Sequence, residues 1–152
     1  MTNNDILRRI RYILDFNNSN MAATFALGGL VASREQLIGW LSKEEEADFL
    51  ALTDSELAQF LNGLIISKRG QKEGEQPVVE SRLNNNIILR KLKIAFTLRD
   101  EDFIELLQLA GFRLGKAELS AFFRKPDHPH YRQCQAQVLR NVLKGLQLKL
   151  KP

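Results

Sequence analysis

The sequence holds few of the residues that cross-link a chain or do chemistry. Of 152 residues, one is cysteine and two are histidine. A single thiol, Cys134, excludes an internal disulfide framework, and no Cys/His cluster has the spacing of a zinc site. No Gly-rich phosphate loop, HExxH or GxSxG is present. No apolar run approaches the roughly 18 residues of a membrane span. The first residues, MTNNDILRRIRYILDF, carry charges inside their apolar stretch and no small-residue cleavage site, unlike a signal peptide. These absences point to a cytoplasmic chain with no membrane contact, no metal and no cofactor. Alternation of period two is missing as well, and Val78-Val79 is too short for a strand, so the expected fold class is all-α. Charge of one sign does not dominate: 22 basic and 18 acidic residues leave a net +4.

What the sequence does hold is itself, twice. Displaced by 82 residues, Asn3–Gly70 falls on Asn85–Pro152 without a gap and with 13 identities. NDILRRIR lies over NIILRKLK. Gly29 lies over Gly111, Trp40 over Phe122, Lys43 over Lys125 and Phe49 over Tyr131. Leu61, Gly63 and Leu64 lie over Leu143, Gly145 and Leu146. One constant offset from start to finish signals duplication. The expected division is a first repeat at 1–70, a linker at 71–82 and a second repeat at 83–152. The linker begins QKEGEQPVVE, a polar stretch with glycine and proline and no helical stripe. Each repeat of about four helices would bury little surface alone, so the two are expected to pack about a pseudo-two-fold axis.

Within the first repeat, Ile6, Ile10, Ile13 and Leu14 form an apolar stripe at helical spacing, capped by Asn3 or Asn4. In the second, Ile88, Leu92 and Phe96 do the same. Asn17-Asn18-Ser19-Asn20 reads as a turn before a helix from Met21 to Leu27, with glycines at its end in the left-handed cap position. Its counterpart runs from Asp102 to Ala110. Ser33-Arg34-Glu35-Gln36 and Thr53-Asp54-Ser55-Glu56 read as capping boxes opening two further helices. The second repeat lacks both boxes, and its last helix is expected from His130 to Lys149. Gly63 and Gly145, inside leucine-rich helices, each cost about 1 kcal/mol against alanine. Their recurrence suggests close approach of another helix, with the repeat-to-repeat interface as the expected place.

Three features bear on function. Arg8, Arg9 and Arg11 recur as Arg90, Lys91 and Lys93, and two such faces could neutralise phosphates of a duplex or folded RNA. Solvated or acid-paired side chains account for them equally simply, with Asp5 and Asp15 nearby. Next, residues 1–70 carry a net −2 and residues 83–152 a net +7. That asymmetry suggests a nucleic acid or an acidic protein as partner, or mutual attraction of the two repeats. Glu44-Glu45-Glu46 is the clearest acidic run. Last, Asp127, His128, His130 and Arg132 share one proline-flanked segment. A metal there would need a distant ligand, and no third histidine exists. A thiol reading pairs His130 with Cys134 on one helical face. A turn with a buried apolar Cys134 explains the same residues without a ligand. A helix-turn-helix outline over Met21–Leu41 puts Leu37, Ile38, Trp40 and Leu41 where base-reading polar residues belong, which argues against it.

NDILRRIRYIL, FLNGLI followed by KRG, NNNIILRKLKIAF, KPDHPHYRQC and VLRNVLKGL together resemble the YehS-like family of bacterial proteins, over nearly the whole chain. The resemblance implies a bacterial, cytoplasmic protein made of two copies of a small domain of unknown function. It implies no activity, cofactor or site residue. The reading is a non-enzymatic binding module, contacting nucleic acid through the repeated basic faces. The alternative is a protein-interaction or assembly module that uses acidic–basic complementarity, forming a homo-oligomer.

Overall fold

A computed structural model describes residues 1–70 and 77–152, which form two compact units, Met1–Leu83 and Asn84–Pro152. Every regular element among the described residues is helical. The first unit contains α1 (Asn3–Leu14), α2 (Asn18–Leu27), α3 (Arg34–Leu41) and α4 (Asp54–Arg69). The second contains α5 (Asn85–Ala95), α6 (Asp100–Leu109), α7 (Lys116–Phe122) and α8 (Ala136–Leu150).

Local chemistry explains where these helices start. Thr2, rather than Asn3 or Asn4, caps α1: its hydroxyl accepts from the Asp5 amide while the Asp5 carboxylate accepts from the Thr2 amide. Asn17 and Asn20 make the same reciprocal pair, so the asparagine-rich stretch expected as a turn is the first turn of α2. Ser33 with Gln36 and Thr53 with Glu56 form the two expected boxes. Gly115 and Gln135, at the corresponding places in the second unit, give no side-chain cap. α8 therefore begins at Ala136, and residues 130–135, expected as helix, are not helical.

The helix ends match across the 82-residue offset. Phe16 donates to the Arg11 carbonyl as Leu98 donates to that of Lys93, and Leu30 to Phe25 as Phe112 to Leu107. Gly29 and Gly111 hold φ of 94° and 75°. Asp15 and Thr97 hold φ of 56° and 53°, so the left-handed turn after α1 and α5 persists without glycine.

Each unit has its own core. In the first, Ile6, Leu7, Ile10 and Ile13 of α1 are buried, and Leu14 is only half-buried. The Phe25 ring lies 5.0 Å from both Trp40 and Phe60, tying α2 to α3 and α4. In the second, Leu89, Leu92, Phe103, Leu107, Leu119, Val142 and Leu143 are buried. Trp40 and Leu37 belong to the core, so the apolar side of α3 packs inward rather than reading bases.

The glycines inside α4 and α8 mark close crossings within each unit, not the expected interface between repeats. A Cβ on Gly63 would fall 1.8 Å from the Thr24 carbonyl oxygen of α2, and one on Gly145 2.2 Å from that of Leu106 in α6. Residues 71–76 of the expected linker lie outside the described residues. The rest of it is bound to the first unit: Asn62 and Ser55 donate to the Val78 and Glu80 carbonyls, and the Leu83 amide donates to Asp54.

Candidate functional site

The repeated basic residues are placed by α1 and α5, and most have work inside their own unit. Arg8 Nη1 donates to the Ser42 carbonyl (2.8 Å), with Nη2 on the Asp5 carboxylate. Arg90 Nη2 donates to the Phe123 carbonyl (2.9 Å). Both thus bind carbonyls left at the ends of the short helices α3 and α7. Lys91, expected on a basic face, is 8% exposed. Arg9 and Arg11 are half-buried, and the Arg11 Nε is buried with no hydrogen-bond partner among the described residues. Lys93 sits over the Phe123 ring, 4.3 Å from its centroid, and 3.7 Å from the Asp100 carboxylate. In neither unit are all three side chains exposed together.

Asn4, expected only as a candidate helix cap, and its counterpart Asn86 recur in register. Asn4 is buried and donates from Nδ2 to the Trp40 and Leu50 carbonyls, while its Oδ1 accepts from the Leu52 amide. Asn86 makes the same bonds with Phe122, Arg132 and Cys134. Each amide ties the first helix of its unit to the segment after the third helix. Identity at both positions was the available signal.

That segment, residues 43–53 and 125–135, is where the units diverge. Its backbone is shared: Glu46 donates to Lys43 as His128 does to Lys125, and Phe49 to Glu46 as Tyr131 to His128. Its charge is not. The first unit presents exposed Glu44, Glu45, Glu46 and Asp48, and the second presents exposed Lys125, His130 and Arg132 beside Arg124. Lys125 and Arg132 have no ion-pair partner among the described residues. Asp127 is exposed.

Between α7 and this segment in the second unit lies a cleft of about 910 Å³, lined by Ser120, Phe122, Arg124, His130, Arg132 and Gln133 among others. The volume falls in the range of small-molecule sites, roughly 300–1,000 Å³. His130 and Arg132 of the polar segment thus reach the cleft together. His128 is not among the lining residues but contacts two of them, its Nδ1 accepting from the His130 amide (3.0 Å) and its Nε2 lying 3.3 Å from Arg124 Nη1. Desolvation first, then the charges of Arg124 and His130, hold the His128 imidazole below its usual range.

The thiol reading fails on geometry. Residues 130–134 are not helical, so His130 and Cys134 do not share a helix face. Cys134 is 2% exposed, and burial pushes its thiol up to about 11. Its amide is bonded by Asn86, and the side chain acts as a small core residue. Among the described residues no three His, Cys, Asp or Glu side chains are grouped to hold a metal ion, and no helix is long and apolar enough to cross a membrane.

Comparison with known proteins agrees with the duplication. The profile of DUF1456, described as a protein of unknown function, matches residues 3–70 and again 85–151. The chain is 46% identical over 147 residues to the uncharacterized protein YehS of Escherichia coli (strain K12), covering 96% of this chain and 94% of that protein. No solved structure matches. Two tandem copies of one four-helix unit, matched in turn by one family profile, place this chain in the DUF1456 family, alongside YehS.

Proposed function

We propose that the chain is a non-enzymatic binding module whose second unit contacts nucleic acid. One observation carries the reading: exposed Arg124, His130 and Arg132 line one cleft, Lys125 is exposed next to Arg124 in the chain, and carboxylates of the described residues pair with none of these cations. Residues 83–152 as a whole carry a net +7. Unpaired surface cations gain most from a polyanion, because each phosphate neutralised releases counterions. The site implied by the sequence shifts accordingly. Arg8 and Arg90 serve helix-end carbonyls and Lys91 is buried, while Lys93 stands over the ring of Phe123, which precedes Arg124 in the chain.

The test is a mobility shift of the full chain with duplex DNA and with RNA over a salt series. Affinity should fall steeply with salt, and the slope should shrink by about one per phosphate-neutralising cation reversed. Arg124→Glu and Lys125→Glu should weaken binding strongly. No shift at low salt and no retention on heparin would overturn the proposal. A second reading is self-assembly, supported by the opposite charge of equivalent segments at 43–50 and 125–132. Concentration-dependent sedimentation that weakens with salt would favour it.

A further inference from the structure

The two units share one backbone plan, so a difference between them at one place isolates what that place does. In the first unit the Leu50 amide donates to the Gly39 carbonyl (3.0 Å), and the Leu50 side chain lies directly on Gly39. A Cβ there would fall 2.5 Å from Leu50 Cγ and 2.8 Å from the Asp48 carbonyl. In the second unit the equivalent amide, that of Arg132, donates to the Ala121 carbonyl (3.2 Å). Ala121 has the methyl that Gly39 lacks, and a side chain cannot lie on it as Leu50 lies on Gly39. Arg132 instead lines the cleft, together with Arg124 and His130. In one copy leucine lies on glycine. In the other, alanine occupies the glycine position and arginine lines a cleft.

The donors beside the cleft point to the chemistry of a ligand. A neutral imidazole has one N–H and one acceptor nitrogen. In His128, Nδ1 accepts from the His130 amide, so the proton is on Nε2. That N–H converges with Arg124 Nη1 at 3.3 Å, donor beside donor. A single oxygen anion accepting from both satisfies the pair, and the Arg132 guanidinium adds a further positive charge to the wall of the same cleft. The carboxylate of Glu118, also on the lining, is turned back toward Gly115 at the start of α7. Ser120 and Gln133 add neutral polar contacts, and Phe122 an apolar wall.

We infer that the cleft between α7 and residues 124–135 binds a phosphate group, seated on Arg124, His128 and Arg132. The phosphate could be carried by a free nucleotide or by a nucleic acid strand, and the chemistry of the seat is the same for both. This deepens the anion-binding reading of the second unit without requiring nucleic acid as the partner.

The test follows the two imidazoles by NMR in the full chain, with inorganic phosphate, adenosine monophosphate or a short single-stranded RNA added. The groups acting on His128 are Arg124 and His130. An anion between His128 and Arg124 should move the His128 titration upward, the reverse of its shift in the free protein. Arg124→Gln should weaken phosphate binding by roughly ten-fold or more, the effect of one charge-assisted hydrogen bond. The paired change Ala121→Gly and Arg132→Leu installs the first unit's glycine–leucine contact in the second. It should remove binding with the helical circular dichroism unchanged. Monophosphate binding without RNA binding identifies a free nucleotide and sinks the nucleic acid reading alone. RNA binding that the paired change leaves intact sinks the cleft and spares that reading. A His128 titration unmoved by all three probes overturns the inference.

Discussion

Asn4 and Asn86 show how much a single side chain can decide. Each satisfies two carbonyls and one amide of a segment that has no helix or strand to bond it. Replacement by alanine strands those groups in a buried place, and Asn4→Ala and Asn86→Ala should each cost about 2–4 kcal/mol in urea unfolding. A loss below about 0.5 kcal/mol, the range of an ordinary surface substitution, would refute the role. Cys134 makes a separate prediction. With its thiol buried and held near 11, native protein at pH 8 should alkylate far more slowly than the same protein in denaturant, since the thiolate is the reacting form. Equal rates would show that the thiol is open. The sequence placed this cysteine in a loop that could be helix, and only the start of α8 at Ala136 settled its surroundings.

For the helices, glycine and carboxylate positions carry the argument. In a solvated helix Gly→Ala gains about 1 kcal/mol. Here the sign reverses, because the added carbon meets a carbonyl oxygen of the crossing helix. Gly63→Ala and Gly145→Ala should each destabilise by roughly 2–3 kcal/mol net, by forcing α4 off α2 or α8 off α6. Any gain in melting temperature would exclude the close crossing. The helix starts are pH-sensitive. Asp5 is held below its usual range mainly by the Thr2 amide, Asp102 by the Arg99 amide, and Asp54 by the Asn3 side chain and then the Leu83 amide. A carboxyl depressed in the fold adds stability that is full above its unfolded value and is lost as pH falls through its folded value. Stability should therefore be level at neutral pH and decline below about pH 5. Asp54→Asn should flatten that decline, and an unchanged acid limb would remove Asp54 from the account. The capping boxes at Ser33 and Thr53 were legible because the pattern is local in the chain. The box at Asn17 was not, because asparagine is as common in turns as at caps.

At the scale of the molecule, two compact units each carry a core of their own. Damage to one should stay in it. In Gly63→Ala, amide exchange protection should drop in α2 and α4 while α6 and α8 keep theirs. Equal loss in both units would mean that they unfold as one. The repeat offset carries through to the backbone: the left-handed turns, the asparagine clamps and the glycine crossings all lie 82 residues apart. It did not predict which cations are free. Arg8 and Arg90 look like surface charges on an amphipathic stripe. They turn out to serve carbonyls of a short helix far along the chain.

The sequence by itself determined the helical class, the duplication and the asymmetry of charge, because periodicity, offset and composition are properties of neighbours along the chain. Tertiary structure decided which charges face a ligand and which serve the fold. The distinction rests on where the ends of α3 and α7 leave carbonyls within reach of an arginine. It rests equally on one methyl at Ala121, which keeps Arg132 from lying on α7 as Leu50 lies on Gly39 in the first unit. Contacts between a helix residue and one 11 positions on, in the non-helical segment that follows, obey no period, so no pattern in the chain announces them.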